Sequence, residues 1–526
     1  VASEEEASAG WPGTWGRLLG PVLFLLIWLG PAPEGLSPPA QRLAAVTVLM
    51  AVFWATQALP INVTSLVPVV AFPALGIQSA SDVSRSYMTD SSFLYLGGFI
   101  VALGIEKWGL HRRIALHVIS RLGSSPPRIV LGFIVATFGI SMWISNTAST
   151  LLMLPIAMAL LSAVSSTLEE EFGSISSEAR QSIDSLGLAV ALSIAYAASL
   201  GGLTTLVGTP TNIAAAQIWA EQFPDQPRFS AGQWILMWLP YGLMMAGLVW
   251  LLLGWRLPTP DEFRKLGTQF FRERLKLLGP STRGERWMML VFGVTAILWL
   301  SRTGLSFGET TILPGWDRLT VAWLSSLDTD AKRLGDYIND STVGIAMALA
   351  MFAIPVTPRP AGGYDRLMDW KTVERLPWGI LLLFGGGFAI AGAFTSTGLS
   401  DWVGASVAAS WHDLPPWVLL LSVCLLMTFL TEFTTNVATV NAILPILAGI
   451  AVTLEIDPRI IMLPAAIAAS CAFMLPIGTP PNAIVFGSGQ VPMSAMLRTG
   501  LVLNIVGAVL LWAWVQFVII PVWGWN

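Results

Sequence analysis

Residues 143–157 read WISNTASTLLMLPIA, and residues 433–448 read FTTNVATVNAILPILA. Ser145-Asn146-Thr147 thus returns about 290 positions later as Thr435-Asn436-Val437, and each tripeptide opens an apolar run carrying a proline, Pro155 or Pro445. Gly97-Gly98-Phe99 precedes the first stretch and Gly386-Gly387-Phe388 the second. Gly208-Thr209-Pro210-Thr211-Asn212 and Gly478-Thr479-Pro480-Pro481-Asn482 follow them. Four landmarks in one order, at a period far too long for a solenoid, mean a duplicated unit. Paired helix breaks in an apolar chain are the pattern of secondary transporters.

Composition agrees. The 526 residues are 54% hydrophobic and 11% charged, whereas a soluble domain carries roughly 25% charged residues. Apolar stretches long enough to cross a bilayer fall near 19–31, 41–59, 62–77, 92–106, 184–220, 231–255, 285–301, 341–357, 376–396, 459–487 and 499–523. Two more, 127–162 and 416–453, are interrupted by the duplicated motifs and read as re-entrant hairpins. The expected fold is an all-α polytopic membrane protein with about 11 transmembrane helices and two such hairpins. The 24 tryptophans suit interfacial belts. Cys424 and Cys471 lie in apolar spans and read as small buried hydrophobes. No basic run points to nucleic acid. Glu4-Glu5-Glu6 is the opposite of a signal-peptide n-region, so the first span is expected to be retained.

Charge orients the chain. Lys107, Arg112, Arg113, Arg121 and Arg128 cluster in 104–130, eight basic residues fall in 255–288, and Arg359, Arg366, Lys371 and Arg375 fall in 357–376. With the N-terminus inside and both hairpins re-entrant, most of the 28 basic residues lie on the cytoplasmic side and the C-terminus lies outside. The flank after the first Gly-Gly-Phe, GIEKWGLHRRIALHVISRL, is basic, whereas its copy, STGLSDWVGASVAASW, has no Lys or Arg. Opposite flank charge implies inverted repeats related by an axis in the membrane plane. The organisation expected is an N-terminal segment and first span (1–40), a first repeat (41–255), a basic cytoplasmic connector (256–284) and a second repeat (285–526). Residues 163–183 read as a polar linker, residues 302–340 as a solvated external loop, and His111, His117 and His412 as surface imidazoles on the flanks.

A helix that stops at membrane depth survives only when buried in protein or lining an aqueous cavity. Ser, Thr and Asn are good N-caps, and a helix N-terminus offers free N–H donors and partial positive charge. Two such termini facing each other would hold a small anion, and the exposed carbonyl and hydroxyl oxygens suit Na⁺. Gly208-Thr209-Pro210 and Gly478-Thr479-Pro480 read as the unwound points of two further discontinuous helices. Glu432 is the exceptional ionisable group in the spans, and bracing by hydrogen bonds is favoured for it over direct ion binding. With no Lys or Arg near the motifs, helix termini, hydroxyls, amides and co-bound cations would hold the anion. An intramembrane enzyme lacks HExxH, paired aspartates or a Ser-His pair. Paired hairpins favour alternating access over a channel.

The segments ISNTAST, TEFTTNVAT, VGTPTN and IGTPPN resemble the divalent anion/sodium symporter (DASS) family, whose members carry an SNT motif in each of two hairpins. ASCAFMLPIGTPPNAIVF (469–486) is especially similar, and the resemblance runs from about residue 40 to the end. It implies a plasma-membrane homodimer in which a transport domain moves as an elevator against a scaffold. The implied substrate is a C4 dicarboxylate such as succinate, malate or fumarate, with citrate, sulfate or Na⁺-independent exchange as alternatives. The resemblance implies one Na⁺ site at Ser141, Ser145, Asn146 and Gly208 and a second at Thr431, Thr434, Asn436 and Gly478. The anion would meet Ser145, Asn146, Thr147, Thr209 and Pro210 from one half, and Thr435, Asn436, Val437, Thr479 and Pro480 from the other. Val437 departs from the usual Thr and removes a hydroxyl, and Gly478 stands where Ala is common.

Overall fold

In the computed structural model, residues 11–123, 125–172, 177–260, 276, 278–307, 310–319, 338–358, 363–411 and 415–525 are described. They are mostly helical, with two short antiparallel strand pairs, Gly304–Phe307 with Thr310–Pro314 and Pro355–Pro358 with Tyr364–Arg366. Eight helices are long and apolar enough to cross a membrane, and six shorter apolar helices accompany them among the described residues.

The breaks fall where the motifs place them. In the first half, Pro126–Ser141 stops before a turn and the chain restarts as Asn146–Phe172. Ser177–Gly202 unwinds over 203–209 before Pro210–Gln222. In the second half, Pro416–Leu430 restarts as Asn436–Thr453, and Pro458–Ala469 unwinds before Pro480–Gly487. The stretches 184–220 and 459–487 are therefore discontinuous helices. Pro210 and Pro480 each stand at the first helical position, where a missing N–H removes no bond.

Each Gly-Gly-Phe lies inside a helix, Asp90–Lys107 or Trp378–Thr397, and is followed by a flanking helix, Leu110–Leu122 or Leu399–Trp411. A Cβ at Gly97 would meet the Gly344 backbone at 2.5 Å, so helix Asp90–Lys107 can lie directly on Asp340–Ala353 only because Gly97 has none.

The two halves cross. Pro210–Gln222 packs on Asn436–Thr453 and Pro458–Ala469, while Pro480–Gly487 packs on Asn146–Phe172 and Ser177–Gly202. Each short helix that follows a break therefore lies against the other half. A large apolar cluster runs through both halves, and a smaller one joins Leu43, Met50, Trp54 and Phe72 to Ile390 and Phe394.

Three expectations change. Residues 163–183 are not a plain linker: helix Asn146–Phe172 enters them and helix Ser177–Gly202 leaves them, with 173–176 outside the described residues. The loop 302–340 begins with a strand hairpin, and 320–337 lie outside the described residues. His111 is buried, not superficial. Its Nδ1 lies 3.4 Å from the Ile105 carbonyl oxygen, and burial holds the imidazole below its usual range. His117 is half-buried, and His412 lies outside the described residues. Most of the connector, 261–275, does so too.

Candidate functional site

At peripheral helix starts, side chains close the exposed N–H groups. Ser37 accepts from Ala40 N, and capping boxes stand at Thr89, Ser230 and Thr282. At the central breaks Thr209, Thr435 and Thr479 occupy the N-cap position in extended geometry, yet none of them makes a side-chain cap. The Thr435 and Thr479 hydroxyls and Asn436 Oδ1 are buried without partners. A buried polar group without a partner costs roughly 1–3 kcal/mol, so the uncapped donors and orphaned oxygens at these breaks are groups that a bound ligand would satisfy.

The first half gathers neutral oxygens. Ser141 Oγ lies 2.7 Å from the Ala198 carbonyl oxygen and 3.0 Å from Asn146 Oδ1. One hydroxyl proton cannot serve two acceptors, which leaves lone pairs free for a cation. A Cβ on Gly202 would fall 2.0 Å from Asn146 Oδ1, and one on Gly208 would fall 2.5 Å from the Gly202 carbonyl oxygen. Ser145 Oγ accepts from Ala148 N at 3.3 Å, so this start is capped, unlike the other three. Thr147 is half-buried. Thr209 Oγ1 donates to Thr211 Oγ1 at 3.5 Å.

In the second half Thr431 Oγ1 lies 3.0 Å from the Met427 carbonyl oxygen, and Thr434 Oγ1 donates to the Leu430 carbonyl oxygen at 3.0 Å. Such back-bonds use the proton and leave oxygen lone pairs free. Thr434 Oγ1 also pairs with Thr439 Oγ1. Val437 is half-buried and packs against both apolar clusters. Among the described residues no three His, Cys, Asp or Glu side chains converge on a metal position. The available donors are thus hydroxyls, amides and backbone carbonyls, a set that suits Na⁺ rather than a tightly held transition metal.

Two residues that the sequence reading left without a role hold the breaks in shape. Asn212 Nδ2 donates to the carbonyl oxygens of Gly202 and Thr205 at 3.1 and 2.7 Å, and Asn482 Nδ2 donates to those of Ala472 and Leu475, both at 3.1 Å. Each buried amide thus ties the carbonyls ten and seven residues before it, at the same spacing in both halves. Thr209 (φ −140°, ψ 142°) and Thr479 (φ −142°, ψ 146°) share one backbone conformation. The final Asn of each Gly-Thr-Pro-x-Asn was the signal for this tie. Glu432 braces, as expected: its carboxylate accepts from Met474 N and Leu475 N, each at 2.9 Å.

Residues 13–525 match the sodium:sulfate symporter transmembrane region. The sodium-dependent dicarboxylate transporter SdcS of Staphylococcus saprophyticus is 35% identical over 511 residues, covering 97% of this chain and 92% of that protein. The Staphylococcus aureus protein of the same name (strain RF122) is 34% identical over 497 residues, covering 94% and 89%. Among solved structures, Neisseria gonorrhoeae MtrF, described as illuminating a class of antimetabolite efflux pumps, matches with a TM-score of 0.54 at 14% identity over 95% of this chain and 99% of its own. That likeness is one of fold alone.

Proposed function

The chain belongs to the divalent anion/sodium symporter family, a family of transporters and not of enzymes, and from that premise we propose that it carries a C4 dicarboxylate across the plasma membrane, driven by Na⁺. The observation that carries this reading is the set of uncapped helix starts at Thr209, Thr435 and Thr479 beside orphaned oxygens at Thr435, Asn436 and Thr479. N–H groups at a helix start bind a carboxylate, and neutral oxygens at the same breaks bind Na⁺.

One Na⁺ is held by Ser141, Ser145, Asn146 and the Gly208 carbonyl, the other by Thr431, Thr434, Asn436 and the Gly478 carbonyl. The anion lies between Ser145-Asn146-Thr147 with Thr209 and Pro210, and Thr435-Asn436-Val437 with Thr479 and Pro480. Asn146 and Asn436 serve anion and cation together, because an amide offers both donor and acceptor. The crossed packing of Pro210–Gln222 and Pro480–Gly487 supports a site shared between halves. The chain crosses the bilayer eleven times with two re-entrant hairpins, N-terminus in the cytoplasm and C-terminus outside, and works as a homodimer. Residues 127–255 and 416–526 move as an elevator against 41–106 and 285–396. The flanking helices lie on opposite membrane faces and join the two parts.

Uptake of labelled succinate, citrate and sulfate into proteoliposomes, with and without an inward Na⁺ gradient, tests the reading. Na⁺-driven succinate uptake is expected. Sulfate as the preferred substrate, or succinate exchange indifferent to Na⁺, would overturn it.

A further inference from the structure

Within the broken segments, 142–147 with 432–437 and 202–212 with 472–482, one pair of repeat-related positions differs in charge. Aligning Asn146 with Asn436 places Met142 opposite Glu432, and aligning Gly208 with Gly478 places Thr205 opposite Leu475. In the first half the join between the helix turn and the unwound segment is neutral. Thr205 Oγ1 donates to the Met142 carbonyl oxygen and accepts from Gly208 N at 2.9 Å. Leu475 has no hydroxyl for this purpose, and the Glu432 carboxylate spans the gap instead. Oε1 accepts from Met474 N at 2.9 Å and Asn504 Nδ2 at 2.6 Å, and Oε2 accepts from Leu475 N at 2.9 Å.

The partners define the state of this carboxyl group. Asn504 Oδ1 accepts from Phe473 N at 3.2 Å, which orients its amide so that Nδ2 faces Glu432. All three partners are donors, an arrangement that a carboxylate accepts. Glu432 is 1% exposed, and among the described residues no Lys, Arg or His forms an ion pair with it. A buried charge without a counter-charge is expensive. A Cβ on Gly478 would lie 3.0 Å from Oε2, so the charge sits against the backbone whose carbonyl serves the second cation site in the function proposed above.

We propose that Glu432 is a positioning residue for that second site. It shapes the 473–479 chain through backbone N–H groups, and its charge favours the cation through space. The first half holds no such charge at position 142. The two cation sites are therefore unequal, and the one beside Glu432 binds more tightly. This rests on the Na⁺-coupled reading.

The test uses the purified full chain, with melting temperature and tryptophan fluorescence followed as NaCl replaces choline chloride at constant ionic strength. Wild type is expected to be stabilised by Na⁺. Glu432→Gln should raise the half-saturating Na⁺ concentration about tenfold or more while changing the melting temperature in choline far less. Asn504→Leu keeps the charge and removes one brace. It should lower the melting temperature equally in both salts and leave half-saturation within about twofold. Equal loss of stability in both salts for Glu432→Gln, with unchanged half-saturation, would reduce Glu432 to a brace and overturn the proposal. Should Glu432→Gln not fold, a tenfold weakening of Na⁺ binding in Asn504→Leu would overturn it equally. Absence of any Na⁺ effect in wild type would overturn the coupled reading itself.

Discussion

A disulfide between positions 98 and 207 should stop transport while leaving the protein folded. A Cβ built on Gly98 lies 3.3 Å from Val207 Cβ. Disulfides hold Cβ atoms about 3.5–4.5 Å apart, so Gly98→Cys with Val207→Cys needs a relaxation of only a few tenths of an ångström. Val207 is 4% exposed against this helix, yet its repeat counterpart Ile477 is 68% exposed. The same imbalance appears twice more. Asn441 is wholly buried against Gly387, whereas its counterpart Leu151 is 54% exposed. Trp143 stacks on Trp299 with centroids 6.2 Å apart, whereas its counterpart Phe433 is 67% exposed. In all three pairs one member is docked and its copy is not. The proposed inverted-repeat elevator requires a second conformation with these roles exchanged, in which Val207 leaves Gly98.

Conformational exchange in transporters takes microseconds to seconds, while uncatalysed disulfide rearrangement takes minutes to hours. Oxidised Gly98→Cys/Val207→Cys should therefore lose at least ~100-fold in uptake rate and regain it on reduction, with each single cysteine as control. Na⁺-dependent thermal stabilisation should survive cross-linking, because neither cysteine replaces a residue of the proposed site. Gly387→Cys with Ile477→Cys should cross-link slowly at rest and faster during turnover, and should arrest transport in the opposite conformation. Uptake at the reduced rate by fully cross-linked Gly98→Cys/Val207→Cys would refute movement at this interface and with it the elevator.

Replacing Asn146 or Asn436 with Ala should abolish Na⁺-driven uptake while size-exclusion elution and the melting temperature in choline stay near wild type; near-normal uptake by both variants would remove them from the site. Val437→Thr restores a hydroxyl whose bond to a charged group contributes roughly 1.5–3 kcal/mol, about tenfold or more in affinity. It should change the ratio of half-saturating succinate to citrate more than it changes Na⁺ dependence. Identical substrate profiles would mean that Val437 serves only the two apolar clusters it touches.

The breaks were legible in the sequence because their causes are local. Pro210 and Pro480 cannot continue a helix from within, Asn146 and Asn436 follow hydroxyl residues that suit a helix start, and duplication separated these signals from ordinary kinks. The crossed packing was not legible, since nothing in GTPTN or IGTPPN says that the helix it opens will lie on the other half. Burial of His111 was hidden for a related reason. The flank is amphipathic, but which residues face inward depends on the helices it meets.

Glu432 shows where local reading ends. Its rarity in an apolar span marked it as a residue with a task, and bracing was the expected task. What defines that task lies far along the chain, in the N–H groups of Met474 and Leu475 and in Asn504, which is itself oriented by Phe473. Duplication would have predicted an equivalent brace in both halves. The second half has Leu475 where the first has Thr205, so the hydroxyl that could have joined turn and loop without charge is missing, and a carboxylate reaches across instead. Breaks that share a backbone path down to the N-cap torsions of Thr209 and Thr479 thus differ by one buried charge. Equal geometry with unequal charge is sufficient for two cation sites of one architecture to fill at different Na⁺ concentrations.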